Sequence, residues 1–388
     1  MLAIGLDDKL PNFRVDLSSL DNAVDLVLET TRKAYPSLEV PFHSRWRHFV
    51  VDGQNRWAAV CRPGPWRDRV ARARAEFDLA IVSVFLDAGA GPQWRYRDSV
   101  TGASVGHSEG LALASLAMFA RGAFSSSPND PLRVDAEVLK RLSIETLRDG
   151  LQVSDTNPMV AIEGRADLLR RLGALAAAKS DIFGRNDTPR PGGLFDRLAA
   201  LAQDGKIAAP AVLSELLHQL GPIWPSRLTL GGVALGDCWR HPALRSQEAT
   251  SELMPLHKLS QWLAYSLIEP LQMAGISVED INGLTGLAEY RNGGLFVDTG
   301  VLAFRDAAAS TCEHGVNSTL VVEWRALTVA LLDRLADALR ARLSLDTQAL
   351  PLAKVLEGGT WAAGRLIARA RRADGSSPVR VISDGTVF

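Results

Sequence analysis

The sequence is poor in cysteine and has no long apolar run, and both absences restrict what it can encode. Its 388 residues include three cysteines, Cys61, Cys238 and Cys312, which are far apart and form no CxxC pair. We therefore expect neither a disulfide framework nor a cysteine zinc site, and we expect a reducing, cytoplasmic compartment. Apolar runs such as 79–86 are far shorter than the roughly 20 residues of a membrane span, which predicts a soluble protein with no membrane partner.

An excess of one charge is also lacking. The chain has 43 Lys and Arg against 44 Asp and Glu, a formal net charge of −1, which argues against a nucleic-acid partner. Glycine is frequent, but no GxGxxG follows a predicted strand and no P-loop spacing occurs, so we expect no nucleotide cofactor. The seven histidines show neither HxH nor HExxH spacing, so we expect no metal. The expected ligand is a small molecule.

Helical periodicity dominates what is present. Leucines recur every three or four positions over 256–271, where Pro270 is expected to end the helix, and again over 321–343. The stretches 77–86 and 111–120 are apolar nearly all round, which predicts buried helices. The sequence thus predicts a mainly α fold. Further helices are expected at 65–76, 134–148 and 163–180. The minor β structure is expected as a short strand and turn at 49–53 and a hairpin at 379–388.

We expect one helical domain over residues 1–388. The most linker-like stretch is 184–193 (GRNDTPRPGG), which is rich in glycine and proline but only ten residues long. It favours a loop between two lobes, 1–183 and 194–388, over a boundary between domains.

The region 256–302 carries the most promising chemistry. Glu289 and Arg291 directly precede Gly293 and Gly294, and two adjacent glycines predict a sharp turn or close approach to a ligand. A carboxylate beside a guanidinium at such a turn can carry acid–base chemistry on a polar ligand. An ordinary ion pair at a surface turn is the alternative, and composition alone favours that alternative.

Two clusters combine cations with aromatics. In the first, PFHSRWRHF at 41–49, Arg45 could hold an anion while Trp46 stacks on a flat group. A solvated basic turn over buried aromatics explains the same pattern equally well. In the second, Asp87 ends a buried helix and is followed by small residues and Trp94, which predicts a pocket unless the glycines simply cap the helix.

Segments spanning nearly the whole chain resemble the uracil catabolism protein 4 family, a domain of unknown function. The two most specific segments are HKLSQWLAYSLIEP and GLAEYRNGGLFVDTGVL; the others are HSRWRHF, FDLAIVSVFLDAGAGPQWRYRD, SEGLALASLAMF, PLRVDA and NPMVAIEGR. The resemblance implies a role in the pyrimidine degradation route that passes through ribosylurea and ends in urea.

Lys258 to Leu302 also resembles, more distantly, the queuosine-salvage N-glycosylase family. That family is mainly helical, is similar to helix-hairpin-helix DNA glycosylases, and cleaves an N-glycosidic bond. The chain departs from it at Glu289, where the family has Asp, and at Ser266, where the family has a carboxylate. The matching positions within this segment are Lys258 and Gln261, Asp280-Ile281-Asn282, Leu284-Thr285 and Glu289-Tyr290-Arg291. Glu323-Trp324-Arg325-Ala326, outside it, likewise resembles the family's Glu-Ile-Arg at the start of its last long helix.

Together these observations predict a cofactor-free N-glycoside hydrolase that cleaves a nucleoside- or nucleotide-derived ribosylurea, with or without a 5-phosphate, to urea and the sugar. Because the transition state resembles an oxocarbenium ion, a carboxylate is expected near C1. Glu289 is expected to supply it, oriented by Arg291, with Asp280 or Asp87 as alternatives. A metal-dependent urea or amide hydrolase and a non-catalytic helical partner of another pathway enzyme are the alternative functions.

The side chains expected to bind substrate share polarity or a flat face. Arg45, Lys258 and Arg325 are expected to hold a phosphate or urea oxygen, and His43 and His48 to contact sugar hydroxyls. The whole expected set is His43, Arg45, Trp46, His48, Trp94, Glu109, Lys258, Gln261, Tyr290, Asn292, Asp298, Glu323 and Arg325.

Overall fold

A computed structural model describes residues 1–61, 66–184, 188–225, 227–382 and 385–387. The mainly α fold that the sequence predicts is confirmed in these residues. The helices are α1 Leu2–Leu6, α2 Leu20–Ala34, α3 Arg56–Val60, α4 Arg69–Phe85, α5 His107–Ala120, α6 Ala136–Lys140, α7 Ile144–Gly150, α8 Ile162–Ala178, α9 Ser180–Phe183, α10 Leu194–Leu201, α11 Ala209–Leu220, α12 Lys258–Met273, α13 Tyr290–Asp298, α14 Thr319–Leu343, α15 Leu352–Val355 and α16 Trp361–Arg371.

The described strands are two or three residues long and pair two by two. The short strand and turn predicted at 49–53 are confirmed: Val50–Val51 form β2, which pairs with β3. At the C-terminus β14 pairs in parallel with β13, and Asp384 of the hairpin predicted there lies outside the described residues. The strands are β1 Phe13–Val15, β2 Val50–Val51, β3 Gln54–Asn55, β4 Tyr96–Arg97, β5 Ser104–Val105, β6 Lys206–Ala208, β7 Thr229–Leu230, β8 Val233–Ala234, β9 Cys238–Arg240, β10 Leu253–Pro255, β11 Ser277–Glu279, β12 Leu302–Phe304, β13 Glu313–Gly315 and β14 Arg380–Ile382.

Two predicted helix boundaries are wrong, and side-chain caps explain both. The separate helices expected at 65–76 and 77–86 are one helix, α4, which begins after Asp68 because that side chain accepts the backbone N–H of Ala71 at 2.8 Å. Pro65 lies outside the described residues. The single helix expected at 134–148 is divided into α6 and α7, because Ser143 caps α7.

Pro270 does not end α12 but lies within it. A proline has no backbone N–H, so the carbonyl of Ser266, four residues earlier, receives no helical hydrogen bond. The indole Nε1 of Trp46 donates to that carbonyl at 2.7 Å. The hydroxyl of Ser266 in turn accepts the backbone N–H of Arg45 at 3.0 Å. This part of α12 therefore holds the 3-10 helix Arg45–Phe49 in place.

The chain folds as two compact units. The first unit comprises Met1–His43, Ser226–Gln261 and Asp280–Ile382, and the second comprises Ser44–Pro225, Trp262–Glu279 and Ser383–Phe388. Both units are discontinuous in sequence, whereas the predicted lobes 1–183 and 194–388 are contiguous; the loop at 184–193 includes residues 185–187, which are not described, and the lobes stay a prediction.

Each unit has its own apolar core. In the first unit, α14 buries its apolar residues from Leu320 to Leu339 and contacts α2 and α13. In the second, α5 and the part of α4 from Phe77 onward are buried on nearly all faces, as their all-round apolar sequences predict. No helix among the described residues has both the length and the apolar content to cross a membrane.

Candidate functional site

A buried arginine pairs with a buried aspartate in the first unit. Arg325 lies on α14, and its Nη1 and Nη2 each donate to one carboxylate oxygen of Asp237 at 2.8 Å. The indole Nε1 of Trp239 donates to one of those oxygens at 2.6 Å, and the backbone N–H of Lys258 donates to the other at 3.0 Å. Each carboxylate oxygen of Asp237 therefore has two donors, and each nitrogen of the Arg325 guanidinium has an acceptor. We call such a pair, in which every polar side-chain atom has a partner, saturated.

The charge of Asp237 is stable in this environment. Burial alone would raise the pKa of Asp237, but the guanidinium of Arg325 and the hydrogen bonds from Lys258 and Trp239 outweigh burial and lower the pKa well below its ordinary value. A carboxylate that is held so firmly in its ionised form fixes the position of β9 and the first turn of α12 relative to α14. We assign this pair a structural role.

The second unit contains a differently built pair, Arg45 with Asp87. Arg45 is fully buried and Asp87 is 6% exposed. Nη1 of Arg45 lies 3.2 Å from Oδ2 of Asp87, 3.2 Å from Nδ1 of His48 and 3.1 Å from the carbonyl oxygen of Ser108. Because arginine can only donate, Nδ1 of His48 is the acceptor and carries no proton.

A serine relay fixes the plane of the Arg45 guanidinium. Nε of Arg45 donates to Oγ of Ser83 at 2.6 Å, and the hydroxyls of Ser83 and Ser115 lie 2.7 Å apart. Ser115 donates its own proton to the carbonyl of Ala112 at 2.9 Å, so its oxygen accepts from Ser83. Each hydroxyl thus donates once, and the guanidinium has one orientation.

Both members of the pair have an atom left over. Nη2 of Arg45 and Oδ1 of Asp87 are buried and have no hydrogen-bond partner among the described residues. A buried polar atom without a partner costs about 1–3 kcal/mol, and more when it is charged. Such an atom requires an explanation, and a ligand that supplies the missing partner is one. Donor and acceptor belong to groups in direct contact, so both lie at one place in the fold.

A second buried arginine positions the backbone that carries Asp87. The guanidinium of Arg165, on α8, donates to the carbonyls of Leu86, Ala88 and Gly89 at 3.2, 2.7 and 2.8 Å, on either side of Asp87. It also donates to the carbonyls of 160 and 161. Burial lowers the pKa of Arg165 to about 10, and Asp87 partly offsets the effect. The described hydrogen bonds of this cation all go to backbone carbonyls, and they hold the segment that follows α4.

Burial lowers the pKa of Arg45, and the charges of Asp87 and Glu109 raise it. Glu109, in the first turn of α5, is half-buried. The guanidinium thus stays charged while two carboxylates offset its charge. The structure brings together four residues of the predicted set here: Arg45, His48, Asp87 and Glu109.

Glu289 caps a helix. One of its carboxylate oxygens accepts the backbone N–H of Arg291 at 2.8 Å, and the other accepts the backbone N–H of Asn292. Glu289 is thus the N-cap of α13, which begins at Tyr290. The turn predicted at Gly293–Gly294 is wrong, because both glycines lie inside α13, where a Cβ on Gly293 would come within 2.5 Å of the Trp324 ring. Glu289 is half-buried, Asp280 is exposed, and neither contacts the other in any described hydrogen bond.

The other predicted residues of the first unit contact protein groups. Nδ1 of His43 lies 2.7 Å from Glu357, and Oε1 of Gln261 accepts the backbone N–H of Thr285. Buried Glu323 accepts the backbone N–H of Phe13 at 2.7 Å, which joins β1 to α14. Further placements are Arg291 to the Gly375 carbonyl, Asp298 to Arg372, the Tyr290 ring 6.5 Å from the Trp324 ring, and buried Lys258 and Asn292.

In the second unit Trp94 is fully buried and donates to the carbonyl of Leu151 at 2.8 Å. Sequence reasoning missed Ser83, Ser115, Arg165 and Asp237. The two serines had a signal: each is a lone hydroxyl within a long buried apolar run, where a polar side chain requires a buried partner. Arg165 ends the segment NPMVAIEGR without any local pattern that indicates burial.

Within the described part of the chain, no group of three or more His, Cys, Asp or Glu side chains could hold a metal ion. The fold and the Arg45–Asp87 pair define a mainly helical protein whose second unit presents a buried donor and a buried acceptor that no described residue partners. The chain belongs to the family described as protein of unknown function (DUF1688), which it matches over residues 1–388. The resemblance to uracil catabolism protein 4 is thereby confirmed by two curated relatives.

One relative is protein urg3 of Schizosaccharomyces pombe, which is 38% identical over 390 residues, covering 98% of this chain and 92% of the relative. The other is uracil catabolism protein 4 of Lachancea kluyveri, which is 36% identical over 409 residues, covering 97% of this chain and 92% of the relative.

Proposed function

We propose that this protein acts in uracil catabolism as an N-glycoside hydrolase that cleaves a ribosylurea-type compound, with or without a 5-phosphate, to urea and the sugar. The name of the Lachancea kluyveri relative supports the pathway. The observation that carries an activity on a small ligand is the buried Arg45–Asp87 pair, in which Nη2 and Oδ1 have no partner among the described residues.

The reaction adds water across the C1–N bond. The water oxygen bonds to C1, the C1–N bond breaks, and one water proton passes to the ureide nitrogen. Negative charge develops on the departing ureide, which is delocalised onto its carbonyl oxygen. A guanidinium N–H of Arg45 directed at that oxygen would stabilise the charge in a buried site, where such interactions are strong. Removal of one such donor typically lowers the turnover rate by about 10²–10³.

A glycosylase-like fold is part of the same proposal. The motifs shared with the queuosine-salvage glycosylases begin successive helices: Lys258 begins α12, Glu289 caps α13, and Glu323 and Arg325 lie near the start of α14. Which carboxylate lies near C1 and stabilises the oxocarbenium-like transition state stays a prediction. Glu289 is the first choice, and Asp280 and Asp87 are the alternatives.

The direct test is to incubate purified protein with synthetic ribosylurea and to assay urea and reducing sugar, with and without a chelator. We expect both products in equal amounts, in the presence of the chelator as well. Loss of product on chelation would instead support a metal-dependent urea or amide hydrolase. No product from either ribosylurea or its 5-phosphate would contradict the proposal and leave the non-catalytic partner.

A further inference from the structure

We propose, on the basis of this proposed function, that the Arg45–Asp87 pair binds the neutral ureido end of the substrate and rejects phosphate and other anions. The sequence left open whether Arg45 holds a phosphate or a urea oxygen. The arrangement of donors and acceptors in the second unit distinguishes these two ligands.

The unpartnered atoms have opposite hydrogen-bonding character. Nη2 of Arg45 offers N–H donors, and Oδ1 of Asp87 offers acceptor lone pairs. A ureido or carboxamide group presents a carbonyl oxygen beside an N–H in a single plane. It can therefore accept from Arg45 and donate to Asp87 at the same time, which satisfies both buried atoms. A phosphate monoester dianion, such as a sugar 5-phosphate, carries no proton on its phosphoryl oxygens and could satisfy Arg45 only.

The charges around the pair also disfavour an anion. Asp87 contacts Arg45 directly, and Glu109 acts on the same guanidinium from α5. Arg165 brings a second positive charge near Asp87, but its N–H groups are committed to backbone carbonyls. An incoming phosphate would meet two carboxylates, Asp87 and Glu109, while the donors of the second cation, Arg165, are used by the backbone. A neutral ureide meets no such repulsion.

The serine relay adds directional selectivity. Ser83 accepts from Nε of Arg45, which holds the guanidinium plane in one orientation. Ser83 is thus a positioning residue: it acts on the guanidinium through Nε, whereas the proposed ligand contact is made by Nη2. Its removal should weaken ureide binding while leaving the chemical nature of both binding groups unchanged.

Two methylated probes test the selectivity without turnover. N-methylurea is a neutral ureide and methyl phosphate is an anion, and the methyl protons of both report binding by saturation-transfer NMR. We expect saturable binding of N-methylurea and none of methyl phosphate. In Asp87→Asn we expect N-methylurea to bind about 10-fold more weakly, because a charge-assisted hydrogen bond is lost, and methyl phosphate to gain affinity.

Glu269→Gln is the matched control, since it also neutralises a carboxylate paired with arginine in the second unit, at the half-buried Arg47. We expect it to change the affinity for neither probe. Ser83→Ala, with folding checked by circular dichroism, should lower N-methylurea affinity several-fold and keep methyl phosphate excluded. This second variant tests the proposal even if Asp87→Asn does not fold.

The outcomes separate this inference from the proposed function. If N-methylurea binds through Arg45 and Asp87 but ribosylurea is not cleaved, only the proposed function is wrong. If ribosylurea is cleaved while Asp87→Asn binds N-methylurea as tightly as the unaltered protein, only the inference is wrong. Binding of methyl phosphate that requires Arg45, or binding of neither probe, as a site holding only water would give, also overturns the inference.

Discussion

Two buried arginine–aspartate pairs, Arg325–Asp237 and Arg45–Asp87, have the same side chains but opposite hydrogen-bond inventories. In the Arg325–Asp237 pair, both carboxylate oxygens have two donors each. In the Arg45–Asp87 pair, one nitrogen and one oxygen have no partner among the residues described. Burial and charge alone would rank the two as equivalent. The difference teaches that saturation separates a pair that joins structural elements from a pair that can receive a ligand.

The largest effect should come from breaking the saturated pair. Asp237→Asn leaves the buried charge of Arg325 without its counterion, and we expect a loss of about 3–5 kcal/mol in the free energy of unfolding. Guanidinium chloride is the appropriate denaturant, since urea is itself a proposed ligand. The control Glu269→Gln removes a partly exposed partner and should cost less than about 1 kcal/mol. Equal losses in the two variants would contradict the structural role.

At the unsaturated Arg45–Asp87 pair, we expect substitution to reduce activity strongly and stability only modestly. Arg45→Lys keeps the charge but removes the guanidinium donors, so kcat/KM for urea release from ribosylurea should fall about 10²–10³-fold. Its loss of folding stability should be smaller than that of Asp237→Asn. Arg47→Lys, in the same 3-10 helix, is the control and should retain turnover. A variant at Arg45 with full activity would remove this pair from the mechanism.

Lowering the pH should reduce the contribution of the saturated Arg325–Asp237 pair to folding stability. The pKa of Asp237 is lowered in the folded protein, so its contribution to stability is complete above the unfolded-state pKa of about 3.9. That contribution declines as the pH falls further toward the folded-state pKa, by at most about 1.4 kcal/mol per pH unit for one proton. The difference in unfolding free energy between the unaltered protein and Asp237→Asn should therefore shrink only below about pH 4. A difference that is constant down to about pH 2 would argue against the lowered pKa.

The smallest effect concerns Glu289, a carboxylate that belongs to neither pair. Glu289→Ala should lower the free energy of unfolding by about 0.5–1 kcal/mol, because the backbone N–H groups of Arg291 and Asn292 lose their acceptor at the start of α13. Glu289→Gln keeps an oxygen for capping and tests catalysis separately. If this variant turns over ribosylurea about a hundredfold more slowly, a rise of about 2.7 kcal/mol in activation free energy, the carboxylate near C1 would be supported. Unchanged turnover would leave Glu289 with its cap alone.

The sequence predicted the helices well where their pattern is local. The apolar surround of α5 and the leucine repeat of α14 each depend on neighbours three or four residues away. The buried pairs depend on contacts between residues that are distant in sequence: Arg45 meets Ser83 at a separation of 38 residues, and Arg325 meets Asp237 at 88. No periodicity links such positions. Arg45, Asp87 and Arg325 were predicted as functional residues, but only the three-dimensional structure shows which of them is saturated.

Gly293 and Gly294 are a second case in which the sequence does not determine the structural role of the residues. Adjacent glycines fit a turn, a ligand contact or a close helix packing, and the sequence does not distinguish these uses. The structure shows the third, because the ring of Trp324 occupies the space a Cβ on Gly293 would need.

Pro270 makes Trp46 and α12 dependent on each other. By withholding an N–H, the proline creates a spare acceptor on the backbone of Ser266, and the indole of Trp46 uses it. A residue other than proline at 270 would supply a backbone N–H that competes with Trp46 for the carbonyl of Ser266. Replacing Trp46 by a smaller side chain would leave that carbonyl without its donor. Arg45 directly precedes Trp46 in the chain. The proline within α12 therefore helps to determine the position of the Arg45 guanidinium.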